Sequence, residues 1–533
     1  MAALCSNCCL RFPSSQVNKR VVSPLYARRG IGDILPLRFM RRLGIIIALL
    51  LPARLHALEP LIKLSSGTSA VEKVIQTSSG TANSGGVNAP NRVLPGEPPV
   101  RKNYLLPAIE IPAFLLLLNG YDRLAFPNTD YNSGLQSANK FFLHGHWEYD
   151  HDTFGEAQLG HPLQGAMMYG FARSSGLNFW ESLAYSNAGS YVWMITGETD
   201  NPRINGQVTT GNAGAIFGEE LYRMGSLVLE RGSEHGEKPA AWRSWCAAAI
   251  SPPTGLNRMM FGDRYKWMES RDPATFTRLS VGQSASSRVT DDAPGQHEVF
   301  PQRAYADFTM DYGLPGKDGY RYIRPLDYFN FEITGVDNRH DALQNVMTRG
   351  LLFGDKYEAG DDYRGVWGLY GSYDYMSQEV FRVSNTAVSI GSTAQWWLAK
   401  KVALQGTALA GAGLGAAGTT QEAGDRTYRY GVTPLGLLAL RLILDDRVMF
   451  DTTTREYFVS RLGASENGSD SIARVDAGVT VRVYGHHALG FQYVFSHREA
   501  HYPGVSARYQ NVGSIGVVYN LIGDEHFGAV EWR

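Results

Sequence analysis

Beyond residue 300 the chain alternates apolar and polar residues with a period of two. In 473–483 every odd position is apolar (Ala473, Val475, Ala477, Val479, Val481, Val483), and the even ones are Arg474, Asp476, Gly478, Thr480 and Arg482. The same pattern sets Leu489, Phe491, Tyr493 and Phe495 against Gly490, Gln492, Ser496 and Arg498. It sets Ala304, Ala306, Phe308 and Met310 against Tyr305, Asp307, Thr309 and Asp311. In 428–444, Tyr428, Tyr430, Val432, Leu438, Leu440 and Leu442 oppose Arg429, Thr433 and Arg441. Period two places alternate side chains on opposite faces of a strand. Twelve strands are expected, at 303–312, 327–335, 342–357, 363–376, 380–398, 402–416, 426–444, 447–460, 470–485, 487–500, 508–520 and 526–532, with 342–357 and 447–460 the weakest matches.

An antiparallel sandwich alternates in the same way with its apolar faces inward, so the direction needs its own argument. Many segments reach ten residues, the length of a tilted membrane strand, and an even count permits closure. Aromatics stand near strand ends (Tyr363, Tyr375, Trp396, Trp397, Tyr484, Tyr519), as in the girdles of membrane barrels. The polar face then points into the bore. It carries Asp307, Asp311, Glu332, Arg364, Asp374, Arg429, Arg441, Arg474, Asp476, Arg482 and Arg498, a mixture of both signs that fits paired side chains or a plug better than a one-sign selectivity ring.

Between about 160 and 262 the period changes to that of helices. Pro162 suits a first helical turn, 166–172 continues it, and Gly176 ends it; 178–185 and 218–229 read as two more helices. Gly165, Gly170, Gly176, Gly189 and Gly197 recur among large aromatics and permit close backbone approach. Residues 105–118 are apolar but interrupted by Pro107, Glu110 and Pro112, which suits a short buried or interfacial helix.

The first residues change the picture in one respect. Residues 40–57 hold Arg41-Arg42, a short apolar run 43–51 and a small residue at Ala57, the layout of a secretory signal, with translation expected to start at Met40. Residues 58–101 become polar and rich in Ser, Gly and Asn, which suits a disordered linker. The expected organisation is thus an export signal (1–57), a linker (58–101), a helical module (102–295) and an outer-membrane barrel (296–533). Composition agrees: 58 Gly and 28 Tyr accompany 19% charged residues. A formal net charge of −1 offers no field for nucleic acid. Cys5-x-x-Cys8 has zinc-like spacing but no second pair follows, and no cofactor is expected.

Candidate chemistry gathers around 160–166 (Gly-His-Pro-Leu-Gln-Gly-Ala). The run Trp147-Glu-Tyr-Asp150, then Gly160-His161-Pro162-x-x-Gly165-Ala166, Ala172-Arg173-x-x-Gly176, Ser190-x-x-Trp193, Glu198 and Gly218-Glu219-x-x-Tyr222-Arg223 resembles the bacterial family called domain of unknown function 3943, over roughly 120–262. The resemblance implies a Gram-negative envelope protein with a β-rich C-terminal half and no characterised activity. That family's pattern has an acidic residue after the tryptophan, where Met194 stands here.

Two roles compete for these residues. His161 beside Glu181 or Glu198 suits a general base, with Ser182 as nucleophile, in a membrane-embedded hydrolase of lipid or lipopolysaccharide acyl chains. No Gly-x-Ser-x-Gly elbow supports it. Alternatively His161, Arg173, Glu181, Glu198, Glu219 and Arg223 form a buried network that fixes the helices. His144, His146 and Asp150 are metal-ligand types without an identifiable further ligand, so no metal is expected. The reading is an α+β chain with about twelve transmembrane strands in the cell outer membrane, its helical module plugging or gating the barrel. Its partners would be outer-membrane lipid, the barrel-assembly machinery and an unknown small-molecule or lipid ligand. A soluble periplasmic β-rich binding protein is the remaining alternative.

Overall fold

The period-two segments pair into a closed ring. The computed structural model describes residues 92–93, 102–125, 131–134, 138, 145–149, 152–230, 239–261, 269–270, 272–291, 303–337, 342–377, 380–419, 427–523 and 526–532. The expected export signal, His144 and Asp150 lie outside these residues, as does the linker except for Arg92–Val93, which pairs with Glu269–Ser270.

Twelve antiparallel strands close the barrel: β1 (Thr275–Asp291), β2 (Arg303–Tyr312), β3 (Phe329–Val336), β4 (Leu343–Ala359), β5 (Tyr363–Ser377), β6 (Phe381–Ala399), β7 (Val402–Thr419), β8 (Tyr428–Leu444), β9 (Val448–Val459), β10 (Ser469–Tyr484), β11 (His487–His501) and β12 (Arg508–Ile522). The ring closes between β12 and β1, where Ile522 faces Arg278 and Val518 faces Gly282. The expected number is therefore found, with different members. β1 falls inside the stretch assigned to the helical module, because its outward face includes Gln283 and Ala285 and its alternation is shallow. Residues 526–532 form no strand: Phe527 and Gly528 adopt positive φ (51° and 80°), which breaks extended backbone.

The inward face carries the mixed charges, and they pair across the bore. Arg441 of β8 reaches Asp311 of β2 at 2.8 Å, Arg278 of β1 reaches Asp451 of β9 at 2.9 Å, and Arg455 of β9 reaches Glu332 of β3 at 3.2 Å. Beside these, Asp470 binds both Arg429 (2.8 Å) and Arg498 (2.7 Å). Segment 526–532 folds into the bore, where Gln405 donates to Gly528 O and Gln395 to Val530 O, both at 2.7 Å. A cavity of about 170 Å³ is left, lined in part by Asp307, Asp311, Glu332, Arg441 and Asp476.

The outward face divides in two. On β1 and β10 to β12 it is an exposed apolar band (Val281, Val481, Leu489, Phe491, Ile515, Val517, Tyr519), the lipid-facing surface of an outer-membrane barrel. Elsewhere the outward residues Met310, Phe329, Phe331, Val346, Tyr373, Tyr375 and Tyr430 are buried, because the helices pack on them, while on β6 Val388, Ile390, Trp396 and Leu398 stay exposed.

Six helices build that cover: α1 (Leu105–Ala125), α2 (His161–Ser174), α3 (Phe179–Thr196), α4 (Gly214–Glu230), α5 (Ala241–Ile250) and α6 (Pro252–Phe261). Phe217 of α4 stacks on outward Phe331 with ring centroids 6.0 Å apart, and Trp180 of α3 stacks on Phe353 at 5.1 Å. Gln158 and Asn205 both donate to the Tyr430 hydroxyl at 2.9 Å. The expectation that the module plugs the barrel is thereby corrected: the helices cover the outer wall, and the barrel's own side chains and segment 526–532 fill the bore.

Phe331→Ala removes a ring buried between wall and helices and should cost roughly 3–5 kcal/mol of helix-module stability. Thermal unfolding followed by circular dichroism in detergent checks this. The electrophoretic shift between unboiled and boiled protein should persist, since Phe331 points away from the bore.

Candidate functional site

α2 follows a π-helical turn, Glu156–Gly160, whose wider spacing brings the His161 N–H onto the carbonyl of Glu156. Such turns displace side chains from ordinary helical registry and often lie at functional sites. α2 can cross the start of α4 closely because both crossing residues are glycines. A Cβ on Gly165 would sit 1.8 Å from the Thr210 carbonyl oxygen, and one on Gly214 would sit 2.6 Å from Gly165 Cα.

The family-like residues separate into two groups. The first is closed. Glu219 is wholly buried on α4 and receives Arg173 (2.8 Å), Arg223 (2.8 Å) and the Tyr169 hydroxyl (2.7 Å). Arg223 continues to Asp327 at 2.9 Å and to the Pro325 carbonyl at 2.8 Å, in the β2–β3 connection. Burial alone would raise the Glu219 carboxyl; Arg173 and Arg223 override it and hold it at about 2. Its neighbour Glu220 is equally buried, and neither of its carboxylate oxygens has a hydrogen-bond partner among the described residues. Burial raises that carboxyl well above its usual value, against the opposing pull of Arg349.

The second group is open. His161, Gln164, Glu156, Glu198, Tyr131 and Asp122 line a pocket of about 290 Å³ between α1, the start of α2 and the end of α3. Phe114, Leu118, Leu163, Met167 and Trp193 add apolar surface to its lining. Glu198 is held by the Trp193 indole N–H at 2.7 Å and by Arg203 at 3.4 Å, and the Tyr131 hydroxyl donates to Glu156. Gln164 is only 8% exposed, and its Nε2 has no hydrogen-bond partner among the described residues.

The expected triad does not assemble. His161 opens α2, whereas Glu181 and Ser182 lie in the first turn of α3, which runs back along α2. Ser186, one turn past Ser182, donates to the Gly165 carbonyl, one turn past His161, at 3.1 Å, so two helical turns, about 11 Å at 5.4 Å per turn, separate His161 from Ser182. Glu181 instead closes a capping box with Asn178 and binds Lys102 (2.9 Å) and Tyr104 (2.8 Å). Ser182 is fully buried. Of the two carboxylates offered to His161, Glu198 shares its pocket. Arg173, Glu219 and Arg223 are joined by ion pairs, and His161, Glu181 and Glu198 stand apart from them. Glu156, Asp122, Tyr131 and Gln164 were not singled out as site residues; Gln164 follows His161 at helical spacing, while the other three come from segments that only the fold brings near. Among the described residues no cluster of three or more His, Cys, Asp or Glu can hold a metal ion.

Residues 146–253 match the family model of a domain of unknown function, DUF3943. No curated protein matches the chain. Among solved structures, an outer membrane channel from Pseudomonas putida F1 is similar at 7% identity, covering 48% of this chain and 97% of its own, with a TM-score of 0.26. The outer membrane channel DcaP of Acinetobacter baumannii is similar at 8% identity over 48% of this chain and 98% of its own, TM-score 0.22. OmpT of Vibrio cholerae is similar at 10% identity over 46% and 96%, TM-score 0.17. The barrel itself rests on its strand pairings.

Adjacent isosteric changes should act in opposite directions. Glu219→Gln leaves two buried guanidiniums without their shared anion and should cost about 3–5 kcal/mol. The Glu219 carboxyl is depressed, so its contribution is present above about 4.5, the usual value, and is lost as pH falls toward about 2. Glu220→Gln removes a carboxyl raised by burial, so at neutral pH it should be neutral or stabilising. Thermal unfolding of both variants at neutral and acidic pH measures the contrast.

Proposed function

We propose that this protein is a non-enzymatic outer-membrane barrel with a sealed bore, and that its working site is the pocket of the helical module, which holds a small amphipathic ligand. The pocket's lining carries the reading: carboxylates and a neutral amide stand together with apolar side chains. Carboxylates only accept hydrogen bonds when ionised, so they favour a head group that donates them or bears positive charge. The apolar side chains suit a short hydrocarbon portion, and about 290 Å³ limits its size.

The bore argues against open diffusion. Ion pairs cross it between opposite strands, and segment 526–532 occupies part of it. The separation of His161 from Ser182 also removes the particular hydrolytic arrangement the sequence suggested.

Calorimetry of the detergent-solubilised protein with a short alkylamine, the matching alkanol and the matching carboxylate tests the reading. The amine should bind best and the carboxylate worst. Glu156→Gln and Glu198→Gln should each weaken amine binding about tenfold, the loss expected for one charge-assisted contact. Equal binding of amine and carboxylate, or large steady conductance through the bore in planar bilayers, would reject it.

A further inference from the structure

α1 is an inverted amphipathic helix. Its exposed positions are Leu105, Ala108, Ile109, Pro112, Ala113, Leu116, Leu117, Gly120, Tyr121, Arg123 and Leu124, of which only Arg123, near the end, is charged. Leu116 is 74%, Leu117 75% and Leu124 85% exposed. Its other polar side chains turn toward the protein: Asn119 donates to Gly197 O at 2.7 Å and to Tyr131 O at 3.0 Å, Glu110 accepts from Asn257 of α6 at 3.4 Å, and Asp122 lines the pocket. A surface helix in water shows the opposite arrangement, with its apolar stripe on the core and its polar face outward. The stretch Leu105–Leu124 is 20 residues long and 17% buried, about the length that crosses a bilayer's hydrocarbon core.

α6 touches α1 through the Glu110–Asn257 contact at 3.4 Å. It exposes Leu256, Met259, Met260 and Phe261, and α5 exposes Trp242 and Trp245. Tryptophans of this kind concentrate at membrane interfaces. Those helices belong to a module seated on the outer wall of a membrane barrel, where the barrel's own outward residues meet lipid on β10 to β12.

We infer that the outward face of α1, continued by α5 and α6, is a second lipid-facing surface, so that bilayer hydrocarbon touches the helical module as well as the barrel. Only hydrocarbon leaves such a face without cost while obliging Asn119, Glu110 and Asp122 to find partners inside. The inference stands independently of the ligand proposed for the pocket.

Spin labelling tests it. Full-length protein in which Cys5, Cys8, Cys9 and Cys246 are serine receives single cysteines by Ile109→Cys, Leu117→Cys or Leu124→Cys, with Val517→Cys on the barrel band and Val505→Cys in a connection as references. After reconstitution into phosphatidylcholine vesicles, power saturation compares access by oxygen, which concentrates in lipid, with access by a water-soluble nickel chelate. Labels on α1 should favour oxygen as the Val517→Cys label does, with the ratio reversed at Val505→Cys. Preferential access by the nickel chelate at two of the three α1 positions would place the face in water and overturn the inference. Exclusion of both reagents would overturn it in favour of a second copy of the chain covering α1. Measuring three positions keeps the result decisive if one variant fails to fold.

Discussion

A single buried carboxylate ties the two halves of this molecule together. Glu219 lies in α4 with no exposure to water, and an ion in that position persists only if its charge is neutralised on the spot. Arg173 supplies that from α2 and Arg223 from one turn along α4, while Tyr169 fills a further lone pair. Arg223 then carries the network into the barrel through Asp327, itself fully buried in the β2–β3 connection. Hydrophobic contact between Phe217 and Phe331 tolerates sliding; a fork of guanidinium hydrogen bonds does not. The helices are therefore held on the wall in one register, and the pocket at the far end of α2 inherits that register.

The outer wall shows why such fixing matters. A membrane strand exposes its apolar face to lipid at no cost, so nothing in the strand itself calls for a helical cover. Where the module packs, the same kind of face is buried on β2 to β5 and on part of β8, and side chains such as Tyr373 and Tyr430 use their hydroxyls to bind the module, Tyr373 at Gln158 O and Tyr430 as acceptor from Gln158 and Asn205. These hydroxyls fix the module to the wall, whereas Val481, Leu489 and Val517 in the exposed band offer only carbon. Inside, the logic is reversed. Charged residues of both signs on opposite strands pull across the bore, and a wall that spans its own lumen with ion pairs is braced.

Much of the barrel was legible because period two is a strong signal when the two faces see different solvents. All eleven charged residues expected to face the bore do so, since charge cannot face lipid. β1 escaped notice because Gln283, Ala285 and the small residues Ser280, Gly282 and Ser284 blur its two faces. Segment 526–532 misled because Trp532 looks like a strand's terminal aromatic, while Phe527 takes a positive φ that no alternation of residues announces. In the site, Arg173, Glu219 and Arg223 were readable as ionisable residues in apolar, helix-prone sequence, which must be paired. Glu181 was misplaced: three residues after Asn178 it has the spacing of a helix cap, a commoner use of that carboxylate than catalysis. The side of the barrel on which the module sits was not legible, because outward apolar residues read the same whether lipid or helices cover them.

The pocket and the face of α1 have one physical origin. With Leu116, Leu117 and Leu124 turned outward, the polar side chains of α1 have nowhere to go but the interior. Asn119 is consumed by two backbone carbonyls, and Asp122 is left against Glu156, Glu198 and His161. The acidity of the pocket is thus partly a consequence of the helix being apolar on its far side. The apolar part of the lining has the same origin: Phe114 and Leu118 are the flank of that helix, next to the face that meets hydrocarbon. A ligand whose chain lies in the bilayer and whose head donates hydrogen bonds would meet these two environments in the order the structure presents them, whereas a wholly polar solute arriving through the bore would first have to break the ion pairs that close it.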